Sequence, residues 1–280
     1  MIGIIDVGGG LRGIYGSGVF DRLLDDKVSF DYCIGVSAGS ANAITYLANQ
    51  KGRTYRFYHD YSGRKEYMSF GNFLKHSQYI DLDYVYGTLT NSGGEDVLDF
   101  SAVMQNKSSL AVVATDALTG EPAYFKKEDM KQNDYTVLKA SSAIPGVCKG
   151  YEINGRKYYD GGVSDPVPVK KALADGCDKL VLILTKPIEN SDTLARDTRM
   201  AKLLKRKYPV LAEKLKDKSV KYKKGVELAL ELQKQGKCLI IAPDDCCGVS
   251  TLTKDRDKLH RFYEKGYNDG GRVKEFVEHI

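Results

Sequence analysis

The feature that most constrains the fold of this 280-residue chain is the pentapeptide Gly35-Val36-Ser37-Ala38-Gly39. A β-favouring run (Phe30, Tyr32, Ile34) enters it, and an Ala/Leu-rich run, Ala38 to Gln50, leaves it. A serine bounded by glycines between a strand and a helix predicts a sharp turn. Such a turn lifts the hydroxyl to the sheet edge, at the positive end of the following helix. The bland alternative is a glycine-rich strand–helix turn whose serine is incidental.

The rest of the pattern places this turn in an α/β chain. Ile2 to Val7 reads as an opening strand, followed by a helix with Val19, Phe20, Leu23 and Leu24 on one face. Leu110 to Thr115 predicts a buried strand, with Glu121 to Phe125 as its hairpin partner. Helices are expected at Val137–Ala143 and Pro166–Ala174, and strands at Arg156–Tyr159, Lys179–Thr185 and Cys238–Pro243. Further helices are expected at Val226–Gln235, Leu252–Tyr263 and Gly271–His279. Residues 60–95 carry many aromatics without clean periodicity and read as an irregular cap beside the site. Strands alternating with helices argue for a mainly parallel sheet covered on both faces.

Two readings compete for Gly8-Gly9-Gly10-Leu11-Arg12-Gly13. Gly8-x-Gly10-x-x-Gly13 fits a dinucleotide-binding turn, which wants an acid at the end of the second strand. The pentapeptide stands there instead. Alternatively, successive glycines let backbone N–H groups converge without side-chain obstruction, as an oxyanion hole requires. Arg12 would then add positive charge or brace the loop.

A nucleophilic serine needs a proton acceptor. None of His59, His76, His260 and His279 lies in a recognisable motif, although His260 could serve a histidine triad. Asp160, after a short strand and before Gly161-Gly162, is the stronger candidate. Desolvation beside Ser37 would raise its pKa toward a useful range. The competing role is an Asx-type turn residue.

Composition bounds the class. With 42% apolar and 28% charged residues the chain has ample material for a core. No apolar run reaches the length of a bilayer span. Met1 to Asp6 runs straight into a strand without a basic leader, which predicts a cytoplasmic protein. Six cysteines include the vicinal Cys246-Cys247 but no C-x-x-C pair, so reduced thiols and no metal site are expected. The net charge of +5 hides a basic stretch from Arg196 to Lys224, with twelve Lys/Arg against three Asp/Glu. It reads as a solvated helical face or a contact for anionic lipid at the inner face of the membrane; nucleic acid is not expected.

Four motifs together carry a family resemblance: Gly8 to Gly13, Gly35 to Gly39, Ala-Ser-Ser-Ala-Ile-Pro-Gly (140–146) and Asp160-Gly161-Gly162. In order and spacing the chain resembles patatin-like phospholipases, over about residues 1–190. Val-Ala-Thr-Asp (113–116) and the 120–125 hairpin are similar to the bacterial branch. The resemblance implies a three-layer α/β/α fold with a catalytic domain at 1–190 and a basic, mostly helical extension at 191–280. It also implies hydrolysis of lipid acyl esters without a cofactor. Ser37 would be the nucleophile, Asp160 the base, and the amides of Gly8, Gly9 and Gly10 the oxyanion hole. Arg12, Gly35, Gly39, Gly161 and Gly162 would support them. Ile144, Val147, Leu11 and aromatics of 60–95 are the expected acyl-chain walls. Cys148 stands where the family often has an aromatic residue. The rival functions are a nucleotide-binding module using Gly8 to Gly13 and a non-catalytic adaptor at the membrane surface.

Overall fold

In a computed structural model, residues 1–76, 78–189, 198, 200–202 and 204–278 are described. The expected boundary at 190/191, together with Arg196, Leu203 and His279, lies outside the described residues.

Five apolar strands form the parallel centre of one eight-stranded sheet: β1 (Ile2–Asp6), β2 (Tyr32–Val36), β3 (Ser109–Asp116), β7 (Lys179–Ile183) and β8 (Cys238–Ile241). They lie in the order β3-β2-β1-β7-β8. Successive side chains point to opposite faces of a strand, and here both faces are buried. Ile4, Cys33, Leu110, Val112, Val181 and Ile183 enter one core. Their neighbours Ile5, Ile34, Ala111, Val113, Leu180 and Leu182 enter the other.

Helices cover each face. Over the first lie α1 (Gly13–Asp25) and α2 (Ala38–Leu47), through Ile14, Leu23, Ile44 and Leu47. Beyond α2 come α3 (Arg53–Arg56), α4 (Phe70–His76) and α5 (Phe100–Gln105), with π-helical turns at Phe57–Tyr61 and Tyr84–Leu89. Short pieces broken by aromatic and polar residues thus make up the cap expected at 60–95. The helix after β4 (Pro122–Phe125) is α6 (Thr136–Ser142), and α7 (Val169–Ala174) starts only after Pro166 and Pro168.

Residues beyond 204 are woven into the same layers. Helix α8 (Pro209–Lys216) leads into α9 (Lys218–Lys234). The latter buries Tyr222, Val226, Ala229 and Leu232 with α7 on the second face. It begins eight residues before the expected Val226, because lysines between its buried positions mask the helical stripe. Helix α10 (Arg256–Gly270) packs on α1, with the rings of Tyr15 and Phe262 5.1 Å apart. It starts after the expected Leu252 because Asp255 caps it, accepting the Lys258 N–H at 3.2 Å. The chain ends in α11 (Arg272–Glu278). The fold is therefore the three-layer α/β/α arrangement expected from the sequence, and β8 extends the sheet. Among the described residues no helix is long and apolar enough to cross a membrane.

Candidate active site

Ser37 is the single residue between β2 and α2, and its backbone stands at φ 56°, ψ −128°. A non-glycine residue there is strained, and such conformations persist only where the surroundings over-determine them. Here the Ser37 N–H donates to Ser141 Oγ at 2.9 Å, and the Ser37 carbonyl accepts from Ser40 N at 2.9 Å and Ser40 Oγ at 2.6 Å. The flanking glycines are set by close approach. A Cβ on Gly39 would lie 2.2 Å from the Asp6 carbonyl oxygen, and one on Gly35 2.3 Å from Ser40 Cα.

The register of the sheet brings in the partner. Strand β2 pairs with β3 as far as Val36↔Val113, while β4 occupies the opposite edge of β3. The antiparallel β6 (Arg156–Asp160), continued by β5 (Tyr151–Ile153), takes over the edge that β2 leaves, with Asp160 opposite Ala114. The residue after Val36 is Ser37, so two positions 123 apart in the chain meet end to end. Ser37 Oγ donates to Asp160 Oδ2 at 2.6 Å, and both residues are buried. The other carboxylate oxygen, Oδ1, accepts the Gly162 N–H at 2.8 Å. Thr115 Oγ1 donates to the Asp160 carbonyl at 2.8 Å.

The glycine loop lies across from this pair. Gly8, Gly9 and Gly10 adopt φ of 64°, 136° and 63°, which favour glycine. Their amides are not equivalent. Gly8 donates inward to Asp6 Oδ1 at 2.8 Å. Among the described residues no acceptor engages the amides of Gly9 and Gly10. Asp6 is fully buried and also accepts from Asn42 Nδ2 at 2.8 Å, joining the loop to α2. Burial pushes its carboxyl up to about 6, against the lowering effect of those two hydrogen bonds. The loop is closed from far along the chain: Leu11 N donates to the Thr251 carbonyl at 3.0 Å, and Arg12 Nη1 to Thr251 Oγ1 at 3.2 Å.

Two cavities meet at Ser37. One, of about 120 Å³, takes in Gly8 to Gly10, Arg12, Asp160, Lys186, Lys218 and Tyr222. The other, of about 50 Å³, is walled by Leu11, Ala41, Phe57, Tyr67, Leu82, Val85 and Tyr86. Gly10, Ile144 and Thr251 border both. Of the expected acyl-chain walls, Leu11 and Ile144 line the apolar cavity with Tyr67 and Tyr86 from the cap. Val147 and Cys148 are buried but line neither.

The histidines stand apart. His260 Nδ1 lies 3.0 Å from Tyr55 Oη and His59 Nδ1 2.7 Å from Asp60, and neither ring borders a cavity at Ser37. His279 and the His76 side chain lie outside the described residues. At the end of β2, where a ribose-binding acid would be needed, Val36 and Ser37 stand. Among the described residues no group of His, Cys, Asp and Glu could hold a metal ion.

Sequence reasoning missed several residues of this site. Ser141 sat inside a quoted motif without a role, and Asp6 was a lone acid closing an apolar strand, a readable sign. The contributions of Thr251, Lys186, Lys218 and Tyr222 had no local signature.

Comparison with known proteins matches two stretches of the chain to family models. A family model described as patatin-like phospholipase matches residues 7–173, and one described as a domain of unknown function (DUF6363) matches 208–280. The uncharacterised protein YjjU of Escherichia coli is 32% identical over 188 residues, 66% of this chain and 52% of that protein. The uncharacterised NTE family protein Rv1063c of Mycobacterium tuberculosis is 31% identical over 88 residues, 31% of this chain and 23% of that protein. The chain thus spans about half the length of the first of these relatives, and less of the second. The solved structure of VipD from Legionella pneumophila aligns with 98% of this chain and 66% of its own, at TM-score 0.48 and 13% identity. With the family match extending over more than half of its residues, the chain belongs to the patatin-like phospholipase family.

Proposed function

We propose that this protein is a serine acyl hydrolase that cleaves lipid carboxylic esters through a Ser37–Asp160 dyad and an acyl-enzyme. Membership of the family supports lipid acyl hydrolysis in general. The observation that carries the finer reading is the 2.6 Å hydrogen bond from Ser37 Oγ to a buried carboxylate, beside two glycine amides with no acceptor among the described residues.

In this reading Asp160 takes the Ser37 proton as Oγ bonds to the ester carbonyl carbon. The carbonyl π pair moves onto oxygen, where the amides of Gly9 and Gly10 stabilise it. Removing one donor of this kind typically costs about 3 kcal/mol of transition-state stabilisation. Gly8 serves differently, tying the loop to Asp6. Collapse of the intermediate breaks the bond to the alcohol oxygen, which takes the proton from Asp160. Water then yields a proton to Asp160 and attacks the acyl-serine. As the second intermediate collapses, the carbon–Oγ bond breaks, Oγ recovers the proton and the free acid departs. The strained backbone at Ser37 keeps the hydroxyl on one line of attack, a contribution of positioning.

The test is turnover of p-nitrophenyl acyl esters and phospholipids by wild type, Ser37→Ala and Asp160→Asn, with folding followed by circular dichroism. Both variants should lose turnover by about three orders of magnitude or more while remaining folded. Full turnover in either folded variant would remove that residue from the mechanism.

A further inference from the structure

The amides of Gly8, Gly9, Gly10 and Leu11 are sorted by what accepts them. The Gly8 N–H turns inward to Asp6 Oδ1 at 2.8 Å, and the Leu11 N–H goes to the Thr251 carbonyl at 3.0 Å. Gly9 and Gly10, between them, have no acceptor among the described residues. Thr251 does more than accept one bond. A Cβ on Gly10 would lie 2.5 Å from Thr251 Cγ2 and 2.6 Å from its carbonyl oxygen, so Thr251 stands where a side chain would otherwise project. Its hydroxyl accepts from Arg12 Nη1 at 3.2 Å. With Ser37, Gly10 and Ile144 it borders both cavities.

Thr251 lies on the connection from β8 to α10, within residues 208–280, which the model of unknown function matches. That connection is itself held. Val249 is buried in the core, and its N–H donates to the Cys246 carbonyl at 2.8 Å. The Ser250 N–H donates to Thr253 Oγ1 at 2.8 Å, and Lys254 Nζ donates to the Met68 carbonyl in the cap at 2.5 Å.

We propose that Thr251 is a positioning residue for the oxyanion loop, through which the C-terminal segment aims the Gly10 amide at the ester oxygen. The proposal rests on the acyl-hydrolase reading above and adds a distant residue to that site. Donors stabilise a developing oxyanion best when their direction is fixed before the reaction. Glycine works against this, because positive and negative φ are open to it nearly alike. Gly9 and Gly10, at φ of 136° and 63°, therefore need a restraint at each end of the pair. At the front, Gly8 is tied to Asp6, and Thr185 Oγ1 donates to the Gly8 carbonyl. At the rear, the Gly13 N–H closes a short turn on the Gly10 carbonyl. That internal bond shapes the turn without orienting it toward Ser37. Thr251 supplies the orientation, with its carbonyl on the next amide, its methyl against Gly10 and its hydroxyl on Arg12.

The test compares wild type with Thr251→Ala, Thr251→Ser and Thr251→Val, with folding followed by circular dichroism. On p-nitrophenyl esters Thr251→Ala should lower kcat about tenfold and leave KM within about twofold, because aim is felt in the transition state. The loss is smaller than that of a whole donor, since the amide itself remains. Affinity for an octyl trifluoromethyl ketone, which Ser37 can convert to a tetrahedral oxyanion, should fall in step with kcat. Affinity for octanol, which forms no oxyanion, should hold. Thr251→Ser keeps the bond from Arg12 and Thr251→Val keeps the methyl at Gly10, so each should recover part of the ketone affinity. An unchanged kcat in folded Thr251→Ala, a loss carried by KM alone, or an equal loss of ketone and octanol affinity would overturn the proposal. If Thr251→Ala does not fold, the same readouts on Thr251→Ser and Thr251→Val decide it. A wild type that neither cleaves esters nor binds the ketone sinks the acyl-hydrolase reading, and the catalytic role of Thr251 with it. An active wild type indifferent to Thr251 sinks this proposal alone.

Discussion

The two compartments that meet at Ser37 differ in origin as much as in character. The apolar one is built mainly by α2 and the short, aromatic-rich helices that follow it, with Leu11 from the glycine loop and Thr251 from late in the chain. The larger one joins the glycine loop, Ile144 and Asp160 to residues beyond β7, among them Lys186, Leu215, Lys218 and Tyr222. Ser37 and Asp160, the proposed nucleophile and base, stand where the two meet, at the point where β2 ends and β6 takes over the edge of β3. In the proposed mechanism the sheet register sets the chemistry, and the walls of the two cavities set what enters. A change in one wall should alter preference, and a change beneath the loop should alter rate on every substrate alike.

The most direct way to break this contrast is to fill the apolar side alone. Ala41 lies on α2 and borders that cavity but not the other. Ala41→Leu should shorten the acyl chain that fits. Each buried methylene contributes about 0.8 kcal/mol, so displacing two or three of them predicts a loss on the order of tenfold or more for long-chain esters. Short-chain esters should be affected much less. A chain-length series of p-nitrophenyl esters measures this; a uniform loss across the series would mean that the two compartments are not independent.

Asp6 offers the complementary change, because it lies beneath the loop and belongs to neither wall. Its folded pKa is raised from 3.8 to about 6 by burial. The folded state therefore binds the proton more tightly than the unfolded state. The resulting stabilisation is present below pH 4 and is lost as pH rises through about 6. The linkage amounts to on the order of 3 kcal/mol. Asp6→Asn should remove that pH-dependent part, so the stability of wild type relative to the variant should fall between pH 4 and 7 in urea titrations. Turnover should drop by a similar factor on short- and long-chain esters, since Gly8 and Asn42 lose a shared anchor. A flat difference in stability, or a loss confined to one ester, would contradict this role.

Much of the site was legible because its signals are local. Gly35 to Gly39, Gly8 to Gly13 and Asp160-Gly161-Gly162 each describe a turn in a few residues, and turns of that kind need small residues at set positions. The parallel sheet was legible for a related reason: strands buried on both faces read as unbroken apolar runs. What could not be read is what the tertiary fold brings to those turns. The bond from the Leu11 N–H to the Thr251 carbonyl joins main-chain groups 240 positions apart, and main-chain groups leave no mark in the sequence. Lys218 was counted with a basic stretch that suits a lipid surface, and only the start of α9 at that residue directs it toward the dyad. The helix itself was half hidden, since lysines stand between Tyr222 and Val226.

The central claim is that the Ser37 hydroxyl, polarised by Asp160, becomes covalently acylated. It is tested most directly by mass spectrometry of the intact protein after exposure to a fluorophosphonate ester, followed by peptide mapping. The account predicts one adduct, on the peptide containing Ser37, formed far more slowly in Asp160→Asn and not at all in Ser37→Ala. An adduct on another residue, or labelling of Ser37 at the same rate without the Asp160 carboxylate, would contradict it.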